Sequence, residues 1–118
     1  MKTQLRKGTL EMCVLAVLAE RDSYVYEMVS RLAESMEISE GTIYPLMRRL
    51  QADQWVSTYL SESSSGPARK YYTLTDAGRQ ALEAMRSEWR AFVDEINHVL
   101  GVPSPAARCE EEGDDEPR

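Results

Sequence analysis

Arg48, Arg49, Thr42 and Tyr44 lie close together in the stretch SEGTIYPLMRRL, which runs from Ser39 to Leu50. At helical periodicity Ile43, Leu46, Met47 and Leu50 fall around one direction, and Gly41, Pro45, Arg48 and Ala52 fall around the opposite one. Thr42, Tyr44 and Arg49 flank the second group. A face of this kind is small and cationic. Guanidinium groups donate to phosphate oxygens or guanine edges, hydroxyls bond to either, and small residues let a helix sit deep in a major groove about 12 Å wide. An ordinary solvated face would instead carry Glu and Lys and would lack proline. No competing chemistry is assembled elsewhere. The single histidine, His98, has no acid or thiol partner arranged around it, and there is neither a glycine-rich phosphate loop nor a metal-ligand cluster. The chain is therefore expected to be no enzyme and to need no cofactor or metal.

The formal charge of −6 runs against nucleic-acid binding only until its distribution is read. Six acids (Glu110, Glu111, Glu112, Asp114, Asp115, Glu116) and two arginines (Arg108, Arg118) follow residue 100, so four of the six net negative charges belong to that tail. From Ser39 to Lys70, Arg48, Arg49, Arg69 and Lys70 outnumber Glu40, Asp53 and Glu62. Association follows the local potential of the contacting face, which here is basic.

The 118 residues, 42% of them apolar, suit one small soluble domain with appendages. The apolar run from Met12 to Ala19 is too short to span a bilayer, and MKTQLRKGTLE offers no signal cleavage site, so a cytoplasmic location is expected. Cys13 reads as a core residue and Cys109 as a bystander in the tail, without a disulfide framework.

The elements that must position the cationic face follow from periodicity. A first helix from about Gln4 to Ala19 is apolar nearly all round, and we expect a second subunit to cover part of it, through Leu10 and Val14. A second helix begins with Ser23 as N-cap and carries Val25, Met28, Val29, Leu32 and Ala33 on one stripe. The stretch from Ser39 is the third. Its cap is either Ser39, which puts Pro45 inside the helix opposite the carbonyl of Gly41, or Thr42, which puts Pro45 in the first turn, where no bond is lost. Next, Val56 to Leu60 and Arg69 to Leu74 form a β-hairpin around a turn-forming Ser61 to Pro67. Thr75 caps a last helix whose Leu82, Met85, Trp89, Phe92, Ile96 and Val99 form a heptad seam suited to packing between subunits; the alternative is folding back on its own domain. Gly101-Val-Pro103 ends it, and the remainder is expected to be a disordered acidic tail.

The order is mainly α with a small β-hairpin: a winged helix-turn-helix (residues 1–75), a long C-terminal dimerisation helix (76–100) and the tail (101–118). LRKGTLE from Leu5, ISEGTIYPLMRRL from Ile38 and GPARKYYTLTDAGRQAL from Gly66 resemble the PadR family of transcriptional regulators, and the likeness spans about Met1 to Leu100. The resemblance implies a homodimer, double-stranded DNA as partner at a palindromic promoter site, and repression relieved by a small molecule. It assigns Gly41, Thr42, Tyr44, Pro45 and Arg48 to the recognition helix and Arg69 and Lys70 to the wing. Ser39, Arg49 and Pro67 join this set from the wheel and hairpin readings. The bland reading of Arg69 and Lys70 is charge that protects an edge strand. Some similar proteins bind flat apolar compounds beside a tryptophan on the last helix, which here is Trp89, with Met12, Met85 and Phe92 able to line such a site; dimer core packing is the simpler role. Two positions depart from the family pattern: Val25-Tyr26 replaces Gly-Tyr, and Gln54-Trp55 stands after the third helix where a glycine is frequent. A winged-helix module that binds another protein instead of DNA is the alternative of a different class.

Overall fold

The computed structural model describes residues 9–63 and 66–103. The order is α1 (Leu10–Glu20), α2 (Val25–Ala33), α3 (Glu40–Ala52), β1 (Val56–Ser63), β2 (Gly66–Leu74) and α4 (Asp76–Leu100). Four helices and one antiparallel hairpin make it mainly helical. The expected start of the first helix, near Gln4, lies outside the described residues, as does the expected disordered tail beyond Pro103.

Each helix in the first unit, which ends at Glu83, buries one apolar stripe, and on α2 it is narrower than expected, with Val29 half-buried and Ala33 exposed. α1 contributes Leu10, Val14, Leu15 and Leu18, α2 contributes Val25, Met28 and Leu32, and α3 contributes Ile43, Leu46, Met47 and Leu50. Val56, Tyr72, Leu74 and Leu82 close this core. Side chains of this kind contribute about 1.5–3 kcal/mol each when fully buried. The assignment of Leu10, Val14 and Leu82 to a subunit interface is corrected here, since Leu82 is 2% exposed in the same core. Leu10 is 8% exposed and Val14 is 0%, because α1 packs against both α2 and β2, so the chain's own elements suffice to cover them.

Ser23 is a second correction. It does not cap α2, because its backbone is extended and exchanges two hydrogen bonds with Tyr72: Ser23 N–H donates to the Tyr72 carbonyl (3.2 Å) and Tyr72 N–H to the Ser23 carbonyl (2.9 Å). The cap position passes to Tyr24, and the helix starts at Val25. Burial of Ser23 is compensated, since its hydroxyl donates to the Arg21 carbonyl and accepts from Arg31 Nη1.

The hairpin is longer than its β-forming residues suggest. Pairing runs from Val56 opposite Leu74 through Ser61 opposite Arg69 to Ser63 opposite Gly66, with an irregularity between Ser61 and Ser63. Polar Ser61–Ser63 and Gly66–Ala68 are carried into the ladder by their neighbours' pairing, and Pro67 sits in β2 beside the turn.

Two helix ends fix the neighbouring chain. Thr75 caps α4 as expected: its Oγ1 accepts the Gly78 N–H (3.0 Å) and donates to the Gln54 carbonyl (2.8 Å). A Cβ on Gly78 would lie 2.1 Å from the Trp55 carbonyl oxygen, so this close approach admits only glycine. α3 ends with Trp55 N–H on the Leu50 carbonyl and Gln54 N–H on the Gln51 carbonyl, the paired bonds of a Schellman end. Such an end needs a left-handed residue, and Gln54, at φ 64°, holds the position where the resemblance expected glycine.

The second unit begins at Ala84. Its helical part, to Leu100, is stopped by Gly101 at φ 76°, with Val102 N–H bonding to the Asn97 carbonyl (2.8 Å). Trp89, Phe92, Ile96 and Val99 are exposed along it, and the Trp89 and Phe92 rings are 6.5 Å apart.

Candidate nucleic-acid interface

α3 is two-faced in the sense its wheel describes. Ile43, Met47 and Leu50 are fully buried and Leu46 nearly so, while Gly41, Thr42, Tyr44, Pro45, Arg48, Arg49 and Ala52 are exposed. Ser39 occupies the N-cap position with φ −135° and ψ 161°. Its carbonyl accepts the Thr42 and Ile43 N–H groups, and its hydroxyl lies 3.3 Å from that of Thr42 instead of bonding the backbone. The open question of the cap is thus resolved for Ser39. Pro45 lies inside the helix and has no N–H for the Gly41 carbonyl, which the exposed side of the turn leaves accessible to an outside donor.

Gly41 is not required by packing or by backbone conformation. The nearest atom to a Cβ placed there is Ser39 Oγ at 3.9 Å, an ordinary contact, and among the described glycines only Gly101 has positive φ. Its effect is to bare the backbone on the outward face.

The two arginines have different settings. No described residue pairs with Arg48. Arg49 Nη2 bonds Glu11 Oε2 on α1, which lashes the last turn of α3 to the first turn of α1. The sequence alone did not reveal Glu11 as the partner of Arg49, because the two are 38 positions apart and share no local pattern.

Lys70 and Arg69 alternate across β2, and each cation lies over a tyrosine. Arg69 Cζ is 4.7 Å from the centroid of Tyr24, and Lys70 Nζ is 5.5 Å from that of Tyr72. Tyr71 meets Tyr24 edge-on at 5.3 Å and stacks on Tyr59, its cross-strand partner, at 5.6 Å. Tyr59 donates its hydroxyl proton to Asp22 Oδ2 (2.7 Å), and this bond, with burial and the charge of Asp22, pushes the Tyr59 phenol up. The hairpin is thereby braced against the segment that leads into α2. The alternation of Tyr59 and Tyr71 could have revealed their stacking; nothing local points to Tyr24 or Asp22.

Of the residues considered for a flat ligand, Met85, Trp89 and Phe92 share one helix, with Met85 half-buried. Met12 belongs to the first unit and is half-buried on α1. Burial pushes the Cys13 thiol up, which makes it a poor nucleophile, while Cys109 lies outside the described residues. Among the described residues no helix is long and apolar enough to cross a membrane, and no acid, histidine or cysteine cluster could hold a metal.

Three helices, an exposed small and cationic third helix, and a braced hairpin after it define a winged helix-turn-helix protein. The family model described as the PadR-like transcriptional regulator family matches residues 14–84, and the chain belongs to that family. A PadR-like transcriptional regulator from Bacillus cereus is 37% identical and superposes with a TM-score of 0.76 over 82% of this chain and 96% of that one. The transcriptional regulator Rv3488 of Mycobacterium tuberculosis is 40% identical over 72 residues, 59% of this chain and 62% of that protein. The structure of Bacillus subtilis PadR in complex with operator DNA is similar in fold, with a TM-score of 0.59 at 24% identity over 64% of this chain and 45% of that one.

Proposed function

We propose that this regulator is a cytoplasmic homodimeric repressor that binds a palindromic promoter site in double-stranded DNA. The carrying observation is the outward face of α3, where Gly41 bares the backbone without any need inside the chain and Arg48 stands without a partner among the described residues. α3 enters the major groove, with Arg48 on phosphate or guanine, Thr42, Tyr44 and Ser39 supplying hydroxyls, and Gly41 and Pro45 allowing close approach. Arg49 reaches from the flank. Arg69 and Lys70, with Pro67 nearer the turn, meet flanking phosphate or the minor groove.

Residues 1–75 act as the DNA-binding part and 76–100 as the dimerisation helix, through Met85, Trp89, Phe92, Ile96 and Val99. Exposed apolar residues at heptad spacing support this pairing, because a bare seam of that size is costly in water. A small planar hydrophobic effector stacking beside Trp89 would release the repressor by altering the seam; plain packing of the two helices is the competing role of that residue.

Selection of bound duplexes from a random-sequence pool, followed by footprinting, tests the proposal. Two protected half-sites about 34 Å apart on one face of the duplex are expected. Recovery of no preferred sequence would reject the repressor and favour a protein-binding winged helix.

A further inference from the structure

Among the described residues, two ion pairs on α1 are built in opposite senses. Arg31 of α2 pairs with Glu20, and there the cation is sheltered at 16% exposure and also donates to Ser23, while the acid is 74% exposed. Arg49 pairs with Glu11, and there the acid is sheltered at 22% while the guanidinium is 59% exposed. A cation turned inward serves the fold. One held from beneath by an acid keeps the rest of its rigid donor fork facing outward, beside the exposed face of α3. The bond to Glu11 uses Nη2, which leaves Nη1 and Nε able to donate. Both charges also suit their helix ends, Glu11 in the first turn of α1 and Arg49 in the last turn of α3.

We propose that Glu11 is a specificity-determining residue for DNA recognition, an inference that rests on the function proposed above. Glu11 cancels the charge of Arg49 and fixes its orientation, so Arg49 bonds only where a phosphate or base edge meets its remaining donors. Random DNA is bound through charge alone, and to that binding Arg49 adds little. A matched site receives the full charge-assisted bond without the cost of ordering the side chain. Arg48, unpaired among the described residues, adds its charge to both kinds of DNA.

Fluorescence anisotropy against salt, on a duplex selected from a random pool and on the unselected pool, tests this. Glu11→Gln should raise affinity for the unselected pool about fivefold and steepen its log–log salt slope by about one, while binding to the selected duplex changes less, so that discrimination narrows. In an Arg49→Ala background Glu11→Gln should shift both duplexes alike, through lost repulsion only, and leave discrimination unchanged. Arg49→Lys, which keeps charge but loses the fork, should weaken the selected duplex more than the pool; it checks the same claim without altering Glu11. Equal changes on both duplexes with Arg49 in place, or a narrowing of discrimination by Glu11→Gln that survives Arg49→Ala, would overturn the proposal and leave the pair a stabilising contact only. Wild-type binding with unaltered discrimination in these variants refutes this inference alone, whereas no wild-type binding to either duplex refutes the repressor as well.

Discussion

Leu82 and Val99 belong to the same heptad seam of the same helix, yet Leu82 is 2% exposed and Val99 is 82% exposed. The difference marks where one unit ends and the other begins. Up to Glu83 the chain encloses its apolar residues and turns charge, hydroxyls and bare backbone outward. Beyond it Trp89, Phe92, Ile96 and Val99 lie open on the helix. The first surface suits a polar, anionic partner and the second an apolar one, and in our reading these are DNA and a second copy of the chain.

The contrast can be broken most forcefully at its two ends. Leu82→Ala should lower unfolding free energy by about 3 kcal/mol, whereas Val99→Ala should change the stability of the isolated chain by no more than about 0.5 kcal/mol, both read from denaturant titrations at low protein concentration. Equal losses would mean that Val99 is covered within its own chain. Val99→Ala should still weaken dimerisation in sedimentation experiments, because its cost then falls on association.

A smaller effect compares the two helix ends that share one capping geometry. Gly101 holds the left-handed position after α4 without strain, and Gln54 holds the equivalent position after α3 with a side chain that disfavours it. Gln54→Gly should therefore stabilise by roughly 0.5–1 kcal/mol, measured as a higher denaturation midpoint; a loss would show that the Gln54 side chain contributes contacts of its own.

The smallest effect is confined to alkaline pH and to the first unit. The Tyr59 phenol is raised in the folded state by its bond to Asp22. Its contribution is present in full below the unfolded tyrosine value near 10 and is lost as pH rises through the higher folded value. Tyr59→Phe should remove that part of the decline from stability–pH curves. An identical decline in the variant would assign it to other groups.

What the sequence made legible is what repeats at short range. The α3 wheel, the Thr75 cap and the order of the elements all rest on spacings of a few residues, and the structure has each of them. Features that depend on distant partners were not visible. Ser23 has the composition of a cap, but Tyr72 draws its backbone into a bridge. α1 looks too apolar to be covered by so small a domain, but α2 and β2 cover Leu10 and Val14. Glu11 beneath Arg49, and Tyr24 beneath Arg69, are products of the tertiary fold. In the candidate interface, then, the donors were legible and the groups that orient them were not.

Arg48→Ala tests the central claim most directly, because its side chain is exposed on α3 and no described residue pairs with it, so its loss should leave the fold unchanged. Anisotropy titrations on a pool-selected duplex over a range of salt should show weaker binding and a log–log salt slope shallower by about one. An affinity and slope equal to wild type would contradict the assignment of this face to DNA.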